Sequence, residues 1–223
     1  MKKIFYMLAI VFVVPFIFCS CGQNIHQKCK NNLADLRYNY FEAETENWAV
    51  SLTSGMRESP YNIDGISSDL VEFTIVTIVP KTSKINIGYA YQVDINEESF
   101  EGQFEKSPYD DSYAVDLGVK VEDEDEIYVY INDGQSSEVA KLECISKNFQ
   151  LTAEDALFLA VDNATTEINT NLKNNFEVYV KIITDVNKQF NDKFWYVLFV
   201  DEEDNEITVI LDPNSGEIIL KKV

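Results

Sequence analysis

One stretch of this chain carries an unambiguous helical period, and it divides everything around it. Ala156, Leu159, Ala160, Ala164 and Ile168 recur near every 3.6 residues. Thr152 stands where an N-cap belongs, Asp155 takes the place that Glu or Gln holds in a capping box, and Glu154 adds a second acid to the first turn. The spacing predicts an amphipathic helix of about 15 to 20 residues. On either side the period is two. Before the helix, residues 48–53, 70–79, 85–95, 100–104, 113–121, 127–131 and 139–145 read as short strands, while 33–46 mixes both periods and leans to strand in its second half. Ser54-Gly55 reads as a break after the first of these strands, and residues 57–65 (RESPYNIDG) as a loop. Strands at that spacing argue for an antiparallel β-sandwich over 33–147, of which the immunoglobulin-like arrangement is the commonest solution.

After the helix the alternation returns in 176–184, 194–200, 207–211 and 217–222, joined by short polar connections. One helix followed by a meander of hairpins predicts an antiparallel sheet with one face on that helix. The expected fold class is therefore mainly β with one α+β domain: a sandwich over 33–147, then a helix-plus-sheet domain over 148–223. The second part resembles a PepSY domain, through TAEDALFLA in the helix, WYVLFVDEEDNEITVILD in the central hairpin and DPNSGEIIL at the end. The closing DxxxGEI pattern at Asp212, Gly216, Glu217 and Ile218 carries most of the likeness. This chain departs from the usual pattern in its long 170–175 segment and elongated first strand. The resemblance covers about a third of the chain, implies engagement or restraint of an exported peptidase, and brings no catalytic residue.

The N-terminus sets the compartment. Lys2 and Lys3 precede an almost wholly apolar run over 4–18, and Ser20 stands directly before Cys21. Fifteen residues fall short of the about 20 that a membrane-spanning helix needs, so the layout is that of a secretion signal. It resembles a bacterial lipoprotein signal, which implies cleavage after residue 20, lipidation of Cys21 and anchoring on the extracytoplasmic face of the membrane. Phe18 stands where that family usually has Leu, and Cys19 is a poorer second candidate because bulky Phe18 precedes it. Residues 21–32, rich in Gln, Asn and Lys, read as a polar tether, with the chain's single histidine, His26, as a tether residue.

Removing the leader leaves about 200 residues, enough for two cores. A formal net charge of −20 repels nucleic acid and anionic lipid surfaces, which argues against a nucleic-acid partner. Beyond Cys19 and Cys21 the cysteines are Cys29 and Cys144. An exported chain can keep a disulfide between them, which would contribute ~4 to 5 kcal/mol in the entropic account. They can equally be free, with Cys144 packed as a small hydrophobe.

No catalytic constellation emerges: the one imidazole lies in the tether, no zinc-binding helix motif or Cys-x-x-Cys pair follows the leader, and no glycine-rich phosphate loop is present. No catalytic, cofactor or metal residue is assigned, and a non-enzymatic binding protein is expected. The alternative is an extracytoplasmic binder of a small ligand or of calcium. Its candidate surfaces are the loop with Asp201, Glu203, Asn205 and Asp212, the acidic run 122–126, and outward tyrosines among Tyr61, Tyr89, Tyr91, Tyr109, Tyr128 and Tyr130. Against an EF-hand type loop stands Glu206, where glycine is needed. Hairpin turns and cross-strand packing account for the same residues more simply.

Overall fold

The computed structural model describes residues 24–82, 88–184 and 193–223. The expected leader, Cys21 and the first residues of the strand expected at 85–95 lie outside the described residues. Among the described residues the chain is mainly β, with two α-helices and pairings that are antiparallel but for one. Among the described residues no helix is long and apolar enough to cross a membrane.

Strand β1 (Leu33–Glu44) is the axis of the molecule. One of its edges is occupied by β2 (Trp48–Glu58), from Asp35 opposite Arg57 to Glu44 opposite Ala49. The other edge is divided. Its first residues pair in parallel with β10 (Phe176–Thr184), Leu36 opposite Val180, and its later residues pair with β9 (Ser137–Cys144), Phe41 opposite Cys144. Beyond β10 the meander continues through β11 (Lys193–Asp201), β12 (Glu206–Leu211) and β13 (Ile218–Lys222). Beyond β9 come β8 (Glu126–Asn132), β4 (Ala90–Ile95) and β5 (Glu98–Gln103). Beyond β2 lie β3 (Leu70–Pro80), β7 (Tyr113–Asp116) and the two-residue β6 (Glu105–Lys106).

Two large cores follow from this division, with a small third cluster of Ala34, Tyr179, Leu198 and Val200. In the first, helix α2 (Ala153–Asn171) buries Ala156, Leu157, Ala160, Val161, Ala164 and Ile168 against Val178 and Val180 of β10, Trp195, Val197 and Phe199 of β11, and Val209 of β12. At roughly 1.5 to 3 kcal/mol for each large side chain removed from water, this interface holds the C-terminal half together. The expected capping box is present: Thr152 Oγ1 accepts from Asp155 N–H at 3.1 Å, and Asp155 Oδ2 accepts from Thr152 N–H at 3.0 Å. The second core joins Phe41, Val50, Leu52, Val76 and Ile78 to Val93, Ile127, Val129, Ile131 and Leu142.

Three expectations need correction. Residues 21–32 are not a tether throughout, because Ile25–Asn31 form helix α1, capped by the Asn24 side chain. Cys29 in α1 is fully buried in the first core beside Leu33, and apolar burial of one helical face overrides a polar composition. His26 accordingly belongs to the fold, with Nε2 2.9 Å from Asp162 and its ring edge-on to Phe158.

Secondly, Ser54-Gly55 does not end a strand; β2 runs on to Glu58. The register slips between Arg37 and Asn39 of β1, and there the two backbones close on each other: a Cβ at Gly55 would stand 2.1 Å from the Leu36 carbonyl oxygen. Glycine here serves a close approach at a bulge rather than a turn.

Thirdly, the strand expected over 113–121 stops at Asp116. The chain turns at Gly118, whose φ is +64°, and then satisfies buried hydroxyls: Thr74 Oγ1 lies 2.6 Å from the Val119 carbonyl and Val121 N–H donates to Ser54 Oγ at 2.8 Å.

Candidate functional site

The helix-free face of the C-terminal strands carries the molecule's most concentrated polar chemistry. Alternation sends Val178 and Val180 of β10 into the α2 core and leaves Glu177, Tyr179 and Lys181 on the other face. Asp35 of β1 lies beside them, and the connection after β2, residues 59–69, folds across all four. Gly65, with φ +77°, lets this connection press on the β11–β12 hairpin: a Cβ there would stand 2.2 Å from Glu202 N.

Asp35 is fully buried and is the centre of one cluster. Arg37 Nη2 donates to its Oδ2 at 2.9 Å, Lys181 Nζ lies 3.4 Å away, and the Tyr61 hydroxyl donates at 3.3 Å. Lys181 Nζ donates in turn to Tyr61 Oη at 2.7 Å. Burial pushes the Tyr61 phenol up to about 12, helped by the charge of Asp35, so it stays a neutral donor. Burial also lowers Lys181, although Asp35 opposes the fall. A phenol held up and an ammonium anchored by a carboxylate make a fixed ion cluster, not an acid–base pair poised for proton transfer.

A second cluster adjoins it. Glu177 is fully buried, and its Oε2 accepts from Asp64 N–H at 3.0 Å, Gly65 N–H at 2.8 Å and the Tyr179 hydroxyl at 3.0 Å. Its Oε1 has no donor. Glu58 at the end of β2 is 2% exposed, within hydrogen-bonding reach of Glu177, and accepts from Asn62 N–H at 3.3 Å. Tyr61 and Tyr179 meet edge to face above both clusters.

The sites weighed from sequence are dispersed. Cys29 and Cys144 are both free and buried, and they belong to different cores, so the disulfide alternative is corrected: no bridge joins them. Burial pushes the Cys29 thiol up to about 12. Both thiols should be inert to alkylation in the native protein and should react fully in denaturant without prior reduction, counted by mass. Of the calcium-like loop, Asp201 is committed to backbone: burial raises its carboxyl, but bonds from Asn205 and from the N–H groups of Lys173 and Glu203 outweigh that and hold it low. Asp212 caps its own turn, accepting from Asn214 and Ser215 N–H. In the acidic run, Lys147 reaches Asp123 at 2.7 Å and Asp125 at 2.6 Å. Among the described residues, no three His, Cys, Asp or Glu side chains converge to hold a metal ion.

Of the tyrosines, Tyr89 is buried in the second core, and Tyr109 and Tyr128 are exposed. A small open cleft lies at the β4–β5 turn, where Asn96 and Glu97 both have positive φ and Asn96 bonds to Lys120 and Glu122. Its lining of glutamates, Lys120 and Phe100 is solvated and builds no specific geometry.

The carboxyl pair was missed in the sequence because Glu58 and Glu177 lie on different strands far apart in the chain. The only local signal was the Asp64-Gly65 turn in RESPYNIDG. Searches against family models, curated proteins and solved structures returned no match.

Proposed function

We propose that this chain is a membrane-anchored extracytoplasmic lipoprotein that acts as a non-enzymatic binding protein, its PepSY-like half engaging an exported peptidase. The observation that carries this reading is the order α2, β10, β11, β12, β13 in a single antiparallel meander, helix on one face, closing on the Asp212–Gly216 turn. The half built on β2, β3, β4, β8 and β9 is read as an immunoglobulin-like spacer, supported by a core shared between two sets of strands. Among the described residues strand β13 pairs only with β12, and it leaves Ile219 and Leu220 half exposed, so its outer edge is the natural place for a partner segment to add.

The test is capture from envelope and secreted fractions by the full chain in detergent, beside the variants Ile219→Asp and Leu220→Asp, whose side chains lie outside both cores. A peptidase retained by the wild type and lost from both variants is the expected result. Retention of other proteins alone, or of a peptidase equally by all three, overturns the assignment. Cys21→Ser should move the chain out of the membrane fraction, and a protein that stays there refutes the anchor.

A further inference from the structure

We propose that Glu58 and Glu177 share a single proton, and that this proton latches residues 59–69 onto the sheet. The geometry leaves little else for it to do. Two carboxyl groups, one fully buried and the other nearly so, stand within hydrogen-bonding reach, and Glu177 Oε1 is the one buried carboxylate oxygen there that no donor meets. Two ionised carboxylates in that contact repel, whereas a proton on Glu58 gives Glu177 Oε1 its missing donor.

The same two groups hold the loop. Glu177 accepts from Asp64 and Gly65 N–H, and Glu58 accepts from Asn62 N–H and, at 3.4 Å, from the Ser68 hydroxyl. The surroundings do not replace the proton with a cation. Tyr179, which donates to Glu177, and Tyr61 beside it are phenols whose titration burial pushes up. Arg37 and Lys181 are spent on Asp35, and Arg57, over the Tyr61 ring, is spent on Asp116.

The sign of the pH dependence follows. Burial first, and the charge of Glu177 second, raise the Glu58 carboxyl above its ordinary 4.5. The folded protein therefore binds this proton more tightly than the unfolded chain. Its contribution is complete below 4.5 and is lost as pH rises through the folded value. Asp123, Asp155, Asp201 and Asp212, all held low, carry the opposite slope.

The experiment is carried out on the full chain in detergent, with infrared detection of neutral carboxylic acid and amide exchange at Asp64 and Gly65. Wild type should show one neutral carboxyl at pH values above the ordinary glutamate range, absent in Glu58→Gln. Its Asp64 and Gly65 protection should fall with rising pH by up to about tenfold per unit. In Glu58→Gln, where an amide donates to Glu177 without titrating, protection should be flat. No neutral carboxyl above the ordinary glutamate range, or the same pH dependence in both proteins, overturns the proposal. So does protection that depends on an added cation. If the variant does not fold, carbon-detected titration of the wild-type glutamates decides: none titrating above the ordinary range refutes the shared proton.

Discussion

Residues 148–223 produced alone should show no cooperative unfolding transition, although they contain α2 and the whole β10–β13 meander. The unit is completed from the other end of the chain. Cys29 and Leu33 are part of the α2 core, β10 takes its second partner from β1, and Val178 N–H donates to the Asn32 carbonyl at 2.8 Å. Removing Leu33 and Cys29 forfeits roughly 3 to 5 kcal/mol of apolar burial, and the backbone of β10 loses its parallel partner as well. A unit of this size rarely holds more than about 3 to 5 kcal/mol of net stability, so the loss consumes all of it. Thermal unfolding followed by circular dichroism checks this. A sharp transition in the isolated fragment would mean that the half closes its core without α1 and β1. Binding experiments should therefore substitute residues within the full chain and leave its halves joined.

Gly55→Ala should be among the most damaging single methyl groups that can be added to this protein. The new Cβ would lie 2.1 Å from the Leu36 carbonyl oxygen and 2.9 Å from Arg37 Cα, both backbone atoms of the strand that β2, β9 and β10 join. No rotamer change relieves a backbone clash, so β1 and β2 must separate. Overpacking typically costs 1 to 3 kcal/mol, and with the pairing around the bulge opened as well the expected loss is about 3 kcal/mol or more. Denaturant titration against the wild type measures it. Gly118→Ala is the control: no atom crowds its Cβ, its φ is +64°, and its expected cost of about 1 kcal/mol is conformational strain alone. A loss at Gly55 no larger than at Gly118 would show that β1 moves freely.

What was legible in the sequence was local. The capping box at Thr152 and Asp155 needs only three residues of spacing, and it stands as expected. The β10–β13 meander was legible because each hairpin joins neighbours in sequence. The mainly β character followed from alternation, which one buried face imposes on any half-exposed strand. What failed was non-local. Gly55 has the composition of a turn and the job of a contact, because what it accommodates, the Leu36 carbonyl, lies on another strand. Residues 25–31 have the composition of a tether, and contacts with the α2 core through Ile25, His26 and Cys29 make them a helix. The Asp35 and Glu58–Glu177 clusters were invisible for the same reason: each gathers side chains from β1 or β2, the 59–69 connection and β10, and no spacing in one segment announces the others.

The divided edge of β1 also fixes how the molecule bears load. With a lipid on Cys21, only Gly22 and Gln23 would separate the anchored residue from the Asn24 cap of α1, a reach of roughly 10 Å. Any pull between the bilayer and a partner held on the free edge of β13 would enter through α1 and pass along β1. That strand lies between β2 on one side and β10 with β9 on the other, so its hydrogen bonds would be strained together in shear rather than peeled open one by one. Under such a load β1, paired along both edges, would hold, while β13, an outer strand, would be the first to yield.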